Sequence, residues 1–529
     1  MKEKTTFFKI LSVSICLVLI LMGFNTYTYA SITDTTNTGK ITVSGIEAGV
    51  KVSAYQLTTV NYDYTADQPQ ATPYTWNATV KTWVDANYSA YSDPEAFHDA
   101  VTDNSAEAKA FYSALSAAIK AGTVSISATK EATATGTASY PVTSEKLTGS
   151  VEFTECEMGT YLILIENGYM VYTPSVVNLT PTFNRTSKEW ELASEVAVTV
   201  KATNPQITKK VTNDTLTKDN YSTKDTISYR IVADVPTYLS SSLAKKYYVS
   251  DDLAGGLTLD KTSIKVYGQR GSGDPVELTL TTDYTLTTES ATRPNATADA
   301  VDFVVNFVYD NISSYDKVIV EYNAKLSQSA STVIGSTGNN NTAYLDYSNN
   351  PYVADSIQTQ ESTEVTVFTY GAEITKVDKT TGDALTGAEF TLASGADTLY
   401  FVKTADGVYY LANSTDTGAT QTLAVDANGK LCLYGLDTGT YSLTETKAPE
   451  GYNKATTPAT ITITDADLDG LLDDGTTGIF TLNFPNGQGF QLPVTGGVGT
   501  VLFAAGGVVF VGLGITLLAV VIKKSRARK

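Results

Sequence analysis

A single histidine, His98, stands in 529 residues. That scarcity excludes a histidine-built metal centre and leaves a nucleophile–histidine–acid triad only one base to use. Three cysteines, Cys16, Cys156 and Cys432, are too few for a disulfide framework or a four-thiolate zinc site. Cys156 and Cys432 fall in different regions of the chain and read as unpaired. Positive charge is also short: 37 Lys+Arg against 56 Asp+Glu give a formal net charge of −19. Such a balance argues against a nucleic-acid partner, which needs clustered cations against phosphates. What the chain does have is Tyr, Thr and Val, and the 33 tyrosines favour strands over helices.

Both ends are unlike the rest. Lys2, Lys4 and Lys9 precede the apolar run Ile10–Met22, and a polar stretch ends at Thr28-Tyr29-Ala30. This is the layout of a secretory leader, cleaved after Ala30. Near the other end, residues 498–522 form an uncharged run long enough to span a bilayer, followed by Lys523, Lys524, Arg526, Arg528 and Lys529. Just before it stands Leu492-Pro493-Val494-Thr495-Gly496. Motif, span and basic tail together resemble the cell-wall sorting signal of Gram-positive surface proteins. The resemblance implies that a sortase cuts between Thr495 and Gly496 and joins Thr495 to an amine, the span serving only as transient membrane retention. A mature chain of residues 31–495 loses net +2 with the leader and +5 with the tail, leaving −26.

Period-two alternation, as in Val301-Asp-Phe-Val-Val-Asn-Phe307, recurs between glycine-rich turns. It predicts a mostly β chain of tandem immunoglobulin-like sandwiches in an elongated rod. The domains are expected at 31–203, 204–367 and 368–489, with the sorting signal at 490–529. One helical insertion is expected in the first: Asp93-Pro94-Glu95 is an N-terminal cap, and Phe111, Leu115, Ala118 and Ile119 keep helical spacing beyond a break at Asp103-Asn104-Ser105. His98 reads there as a solvated helix residue. Gly-Thr-Tyr occurs at 159–161 and again at 439–441, hinting at related domains. Asp465-Ala-Asp467-Leu-Asp469-Gly470 begins like a calcium loop, but Thr476 stands where the bidentate acid belongs. It reads as an acidic surface turn, and no metal or cofactor is expected.

The third region carries Ile374-Thr-Lys376-Val-Asp378, Tyr441-Ser-Leu-Thr-Glu445-Thr-Lys-Ala-Pro449 and Phe480-Thr-Leu-Asn483-Phe-Pro-Asn486. In combination these resemble the B-type domains of collagen adhesins and sortase-assembled pilins. The resemblance implies an intramolecular isopeptide bond between Lys376 and Asn483, assisted by Glu445. In the middle region, Pro205-Gln-Ile-Thr-Lys209-Lys210, Val249-Ser-Asp251-Asp252 and Gly338-Asn339-Asn340-Asn341 resemble the central domain of backbone pilins. They imply a second bond of Lys209 with Asn341, assisted by Asp251, with Lys210, Asp252 and Asn339 as neighbouring alternatives. Backbone pilins also carry, near the end of their first domain, a lysine that attacks the next subunit's sorting threonine. The equivalent stretch, Val198-Thr-Val-Lys201-Ala-Thr-Asn204, supplies Lys201 but departs from the usual Tyr-Pro-Lys-Asn.

Together these imply the shaft subunit of a covalently polymerised, peptidoglycan-anchored surface pilus: a sortase substrate, not an enzyme. The implied partners are a class C-type pilus sortase, a housekeeping sortase, further copies of the chain, minor pilins, peptidoglycan and a host matrix protein. A non-polymerising wall-anchored adhesin, or a minor tip or basal pilin, is the alternative.

Overall fold

The computed structural model describes residues 25–31, 38–101, 106–136, 147–211, 215–239, 241–296, 299–329, 331–489 and 498–526. The first 24 residues and the motif Leu492, Pro493, Thr495 and Gly496 lie outside the described residues. The protein is mostly β, with its few helices concentrated in the first region and at the C-terminal end. Its packing divides at residues 368 and 369, although Ser222–Lys224 and Ile334–Ser336 belong with the second unit.

The first region runs β1 (Asn25–Ser31), β2 (Thr38–Ile46), β3 (Lys51–Asp63) and β4 (Gln68–Trp76). Three helices follow, α1 (Ala78–Asn87), α2 (Pro94–Val101) and α3 (Ala106–Lys120). Then come β5 (Lys130–Thr133), β6 (Gly149–Glu157), β7 (Gly159–Glu166), β8 (Val171–Tyr172), β9 (Ser175–Leu179), β10 (Pro181–Asn184), β11 (Glu189–Thr199) and β12 (Ala202–Thr203). One sheet has the order β1-β11-β2-β6 and the other β4-β3-β7-β9. Ile41, Val43, Val52, Ile163, Val177 and Val196 fill the space between them. The helices cover the far side of the second sheet, where Leu57, Leu162 and Leu164 meet Trp76, Phe97, Phe111 and Leu115. With both faces covered, β7 has no polar side and reads as the unbroken run Tyr-Leu-Ile-Leu-Ile.

Helix α1 is absent from the expected single insertion. Asn77 caps it by accepting from the Thr79 and Val80 amides, and Val80 and Val84 bury one face. Its Thr and Val content masks that spacing as strand. His98 departs from the solvated reading too. It stacks on Tyr74 with ring centroids 4.3 Å apart, and its Nε2 lies 3.3 Å from Thr180 Oγ1.

In the middle region, a five-stranded sheet takes its strands in the order 207–211, 227–234, 317–326, 257–269, 276–277. It faces a sheet that includes Val365–Phe368, Asn339–Tyr347, Tyr247–Leu253 and Phe303–Phe307 in that order. Between them lie Ile227, Ile231, Val249, Phe303, Val320 and Leu345.

The third region pairs its first strand, Tyr370–Asp378, in parallel with its last, Ile479–Asn486, within a six-stranded sheet. A second sheet holds Glu389–Ser394, Gly439–Lys447 and Ala459–Ile463. The two Gly-Thr-Tyr copies make the same local structure. Tyr161 Oη donates to the Glu157 carbonyl and Tyr441 Oη to the Asp437 carbonyl, each four residues back and each at 2.7 Å. These are tyrosine corners of the kind found in sandwich domains.

Candidate functional site: two buried lysine–acid–asparagine clusters

In the strand Ile207–Val211, alternate residues Ile207, Lys209 and Val211 point into the core. Lys209 is thereby carried inside, fully buried, while Lys210 faces the other way opposite Arg230. Across the sandwich, Asp251 and Asn341 sit on adjacent antiparallel strands in diagonal register, with Asp251 opposite Ala343 and Leu253 opposite Asn341. Both are fully buried. Lys209 Nζ donates to Asp251 Oδ2 and also to Asn341 Oδ1. Among the alternatives, Asp252 is exposed, and Asn339 is engaged with the backbone of Val333 through both ends of its amide.

A residue not anticipated from sequence closes this cluster. Tyr322 Oη donates to Asp251 Oδ1 at 2.7 Å and accepts from Asn341 Nδ2 at 2.7 Å. Tyr322 stacks on Tyr229 at 5.3 Å and meets Phe303 edge-on at 5.1 Å. The Lys209 ammonium lies 5.4 and 5.7 Å from the two tyrosine ring centroids. Burial lowers the Lys209 pKa to about 8, against the opposing pull of Asp251. Burial likewise raises Asp251 to about 6, against the pull of Lys209. Both shifts narrow the gap between donor and acceptor, which eases proton transfer from the amine to the carboxylate.

The third region holds a similar group. Lys376 is fully buried on the first strand, and its Nζ donates to the Phe484 carbonyl at 2.9 Å and lies 4.0 Å from Glu445 Oε1. The parallel register sets Thr375 beside Asn483, Lys376 beside Phe484 and Asp378 beside Asn486. Asn483 is therefore out of phase with Lys376 and exposed, whereas Asn486 shares its face and is buried. The expected partner Asn483 is corrected to Asn486 on this geometry. Asn486 Nδ2 donates to both Glu445 oxygens, at 2.8 and 2.9 Å, and Glu445 also accepts from the Ala455 amide at 2.7 Å. The Asn486 Oδ1 atom is buried without a hydrogen-bond partner. Burial lowers the Lys376 pKa, with Glu445 opposing.

Lys201 stands two residues beyond the end of β11. It is partly buried, and its carbonyl accepts from the Thr173 amide at 3.0 Å. Burial, then the nearby charge of Lys109, lowers its pKa. In the first region, Glu166 forms an ion pair with Lys120 at 2.6 Å. In the calcium-like stretch, buried Asp465 accepts from Tyr370 Oη and from the Gly470 and Asp469 amides. Among the described residues no cluster of metal-ligating side chains occurs, and Cys156 and Cys432 are free thiols.

Two inter-strand lysine–acid–asparagine clusters thus lie in two sandwich domains, and the chain is similar to several known proteins. Residues 371–473 match the SpaA family, a prealbumin-like fold domain. The chain is similar to the trypsin-resistant surface T6 protein of Streptococcus pyogenes serotype M6, 28% identical over 296 residues. That match covers 53% of this chain and spans half the length of the relative. Its fold is similar to that of the T6 backbone pilin of serotype M6 Streptococcus pyogenes, described as a modular three-domain structure. There the TM-score is 0.58 at 18% identity, covering 87% of this chain and all of the other. The full-length major pilin SpaD of Corynebacterium diphtheriae matches with TM-score 0.51 at 20% identity, over 86% of this chain and 99% of its own.

Proposed function

We propose that this protein is the structural shaft subunit of a covalently polymerised pilus, and that each buried cluster closes into an isopeptide bond. The observation that carries the reading is Lys209, Asp251 and Asn341 buried together in hydrogen-bond contact across a sandwich core. An unlinked buried lysine and carboxylate cost several kcal/mol in desolvation, so their placement makes sense as a reaction site.

The chemistry balances without a cofactor. Lys209 Nζ, its proton passed to Asp251, attacks the Asn341 side-chain carbonyl carbon. The Nζ–Cγ bond forms, the Cγ–Nδ2 bond breaks, and the departing nitrogen takes protons through Asp251 and Tyr322 to leave as ammonia. In the third region, Lys376 attacks Asn486 with Glu445 in the same office. Glu445, bridging the Asn486 amide, is set to return a proton to that leaving nitrogen. Intact-mass measurement of the mature chain is expected to fall short of the sequence mass by two ammonia molecules. A full sequence mass would overturn both assignments.

Polymerisation follows from Thr495 and Lys201. A sortase would break the Thr495–Gly496 peptide bond, and the Thr495 acyl group would pass to Lys201 Nζ of another copy, leaving Gly496 with a free amine. The helix Val498–Arg526, whose span Ala505–Ser525 is long and apolar enough to cross a membrane, supports retention at the cell surface until then. Wall attachment through a housekeeping sortase and peptidoglycan, and any minor pilin or host matrix partner, are parts of the same proposal. Lys201→Ala is expected to abolish the high-mass ladder seen on denaturing gels of cell-wall extracts. A ladder that persists would move the linkage to another lysine, and a single anchored band in the unaltered protein would favour the adhesin reading.

The pKa shifts give a pH signature for the unlinked middle domain. In Asn341→Ala, Lys209 and Asp251 remain a buried ionisable pair. Asp251 titrates near 6 in the fold against an ordinary 3.8, so stability drops as pH rises from about 4 to about 6. Lys209 titrates near 8 against an ordinary 10.5, so stability returns as pH rises from about 8 to about 10. The melting temperature of Asn341→Ala, taken relative to a variant that also carries Lys209→Met and Asp251→Leu, is expected to dip between pH 6 and 8. A difference that stays flat from about pH 4 to about pH 10 would contradict the burial of the pair as ions.

A further inference from the structure

The expected leader cleavage after Ala30 collides with the sheet of the first domain. Strand β1, Asn25–Ser31, forms one edge of that sheet, antiparallel to β11, with Asn25 opposite Val198 and Ser31 opposite Glu191. Six of its seven residues precede the cleavage point. The opposite side of β11 is already taken, by β2 along Glu195–Thr199 and by β10 along Glu189–Leu192. Processing would therefore strip the Glu191–Val198 edge of its partner and leave a row of backbone donors and acceptors unsatisfied, a ready template for another strand. Val196 and Val198, fully buried in the intact sheet, flank that opening.

The edge ends three residues before Lys201, the lysine assigned above as the acceptor of Thr495. In the third region, Asn453 donates to the Gly487 carbonyl and Gly489 to the Gly451 carbonyl. Residues 490–495 lie between that contact and the cleavage point. Phe490-Gln-Leu492-Pro-Val494-Thr495 is uncharged and alternates apolar and other residues with period two. Six residues at about 3.3 Å each reach roughly 20 Å, enough to lie beside β11 from about Glu195 to Lys201. Pro493 lacks an N–H, which a new edge strand tolerates on its outer side. For Thr495 to arrive at Lys201, the segment must run parallel to β11.

We propose that the β11 edge opened by leader removal receives residues 490–495 of a second copy of this chain as an added parallel strand, which brings Thr495 to Lys201. This rests on the pilus reading above. The apolar residues Phe490, Leu492 and Val494 then extend the inner face that Val196 and Val198 present, and the main-chain ladder supplies the register.

The test uses the mature chain, residues 31–495, and a synthetic peptide of residues 489–495. Hydrogen exchange is expected to show slowed edge amides within Glu195–Val198 on adding the peptide. Protection elsewhere, no protection, or edge amides already protected by the chain's own residues 32–37 would overturn the proposal. In cells, Phe490→Asp leaves the whole motif Leu492-Pro493-Val494-Thr495-Gly496 intact. It should still undergo sortase transfer to a small added amine at the normal rate, yet lose polymer by at least about tenfold, the effect of a 1.4 kcal/mol docking loss. An undiminished ladder would sink strand docking while leaving the pilus reading intact. Absence of any ladder in the unaltered protein would sink the pilus reading and this inference with it.

Discussion

Asn486→Ala is expected to leave one ammonia's mass in the protein and to lower the stability of the third domain by about 5 kcal/mol, whereas Asn483→Ala changes neither. The mass follows from chemistry: without the Asn486 amide there is no leaving group. The stability loss follows from chain topology. A bond from Lys376 to Asn486 closes a loop of roughly 110 residues, and the chain-entropy account of cross-links gives about 5 kcal/mol for a loop of that size. Asn486 also satisfies part of Glu445, donating to both of its oxygens. Its loss would leave a buried carboxylate short of donors, which adds to the penalty. Asn483 lies exposed on the opposite face of its strand, so its replacement removes no buried contact. Intact mass before and after heating, together with denaturant melts of the two variants, decides the matter. If Asn483→Ala retains the ammonia mass and Asn486→Ala does not, the register argument fails.

The two asparagines also mark how far sequence carries. The choice of Lys209, Asp251 and Asn341 rests on the resemblance to backbone pilins, with Lys210, Asp252 and Asn339 left open; the structure shows Lys209 on the apolar face that Ile207 and Val211 share. Asp251 and Asn341 each belong to a recognisable motif, and the structure brings all three together. The same alternation was available in the third region, since Lys376 and Phe484 share a parity that Asn486 keeps and Asn483 breaks. Using it requires knowing that the last strand pairs in parallel with the first, and this non-local register is invisible in the sequence of either strand. Helix α1 was hidden for a different reason: its buried residues are valines, and only the Asn77 cap advertises it. Strand β1 was hidden because its residues look like the polar end of a leader, and nothing local tells that they fit an open sheet edge.

Tyr322 is the member of the buried cluster that no motif announces, being one of 33 tyrosines, and its removal is expected to have the largest kinetic effect. Its hydroxyl is the link between Asp251 Oδ1 and Asn341 Nδ2. Asp251 Oδ2 accepts from Lys209, so the four groups form a ring from the attacking nitrogen to the leaving one. A proton taken up by Asp251 can reach the Asn341 nitrogen only by crossing Tyr322 or by reorienting the carboxyl group. Tyr322→Phe keeps the ring that stacks on Tyr229 and meets Phe303, so the core packing survives. It deletes the relay and leaves Asp251 Oδ1 and Asn341 Nδ2 without this partner, at a cost of about 1–3 kcal/mol. Loss of a positioned proton donor slows such reactions by about a hundredfold or more. Freshly synthesised Tyr322→Phe should therefore lose the middle domain's ammonia at least about a hundredfold more slowly than the unaltered chain. Its third-domain bond should form at the normal rate. A structural role alone would lower the melting temperature without separating the two time courses. Equal rates in the two domains would assign the transfer to Asp251 acting alone.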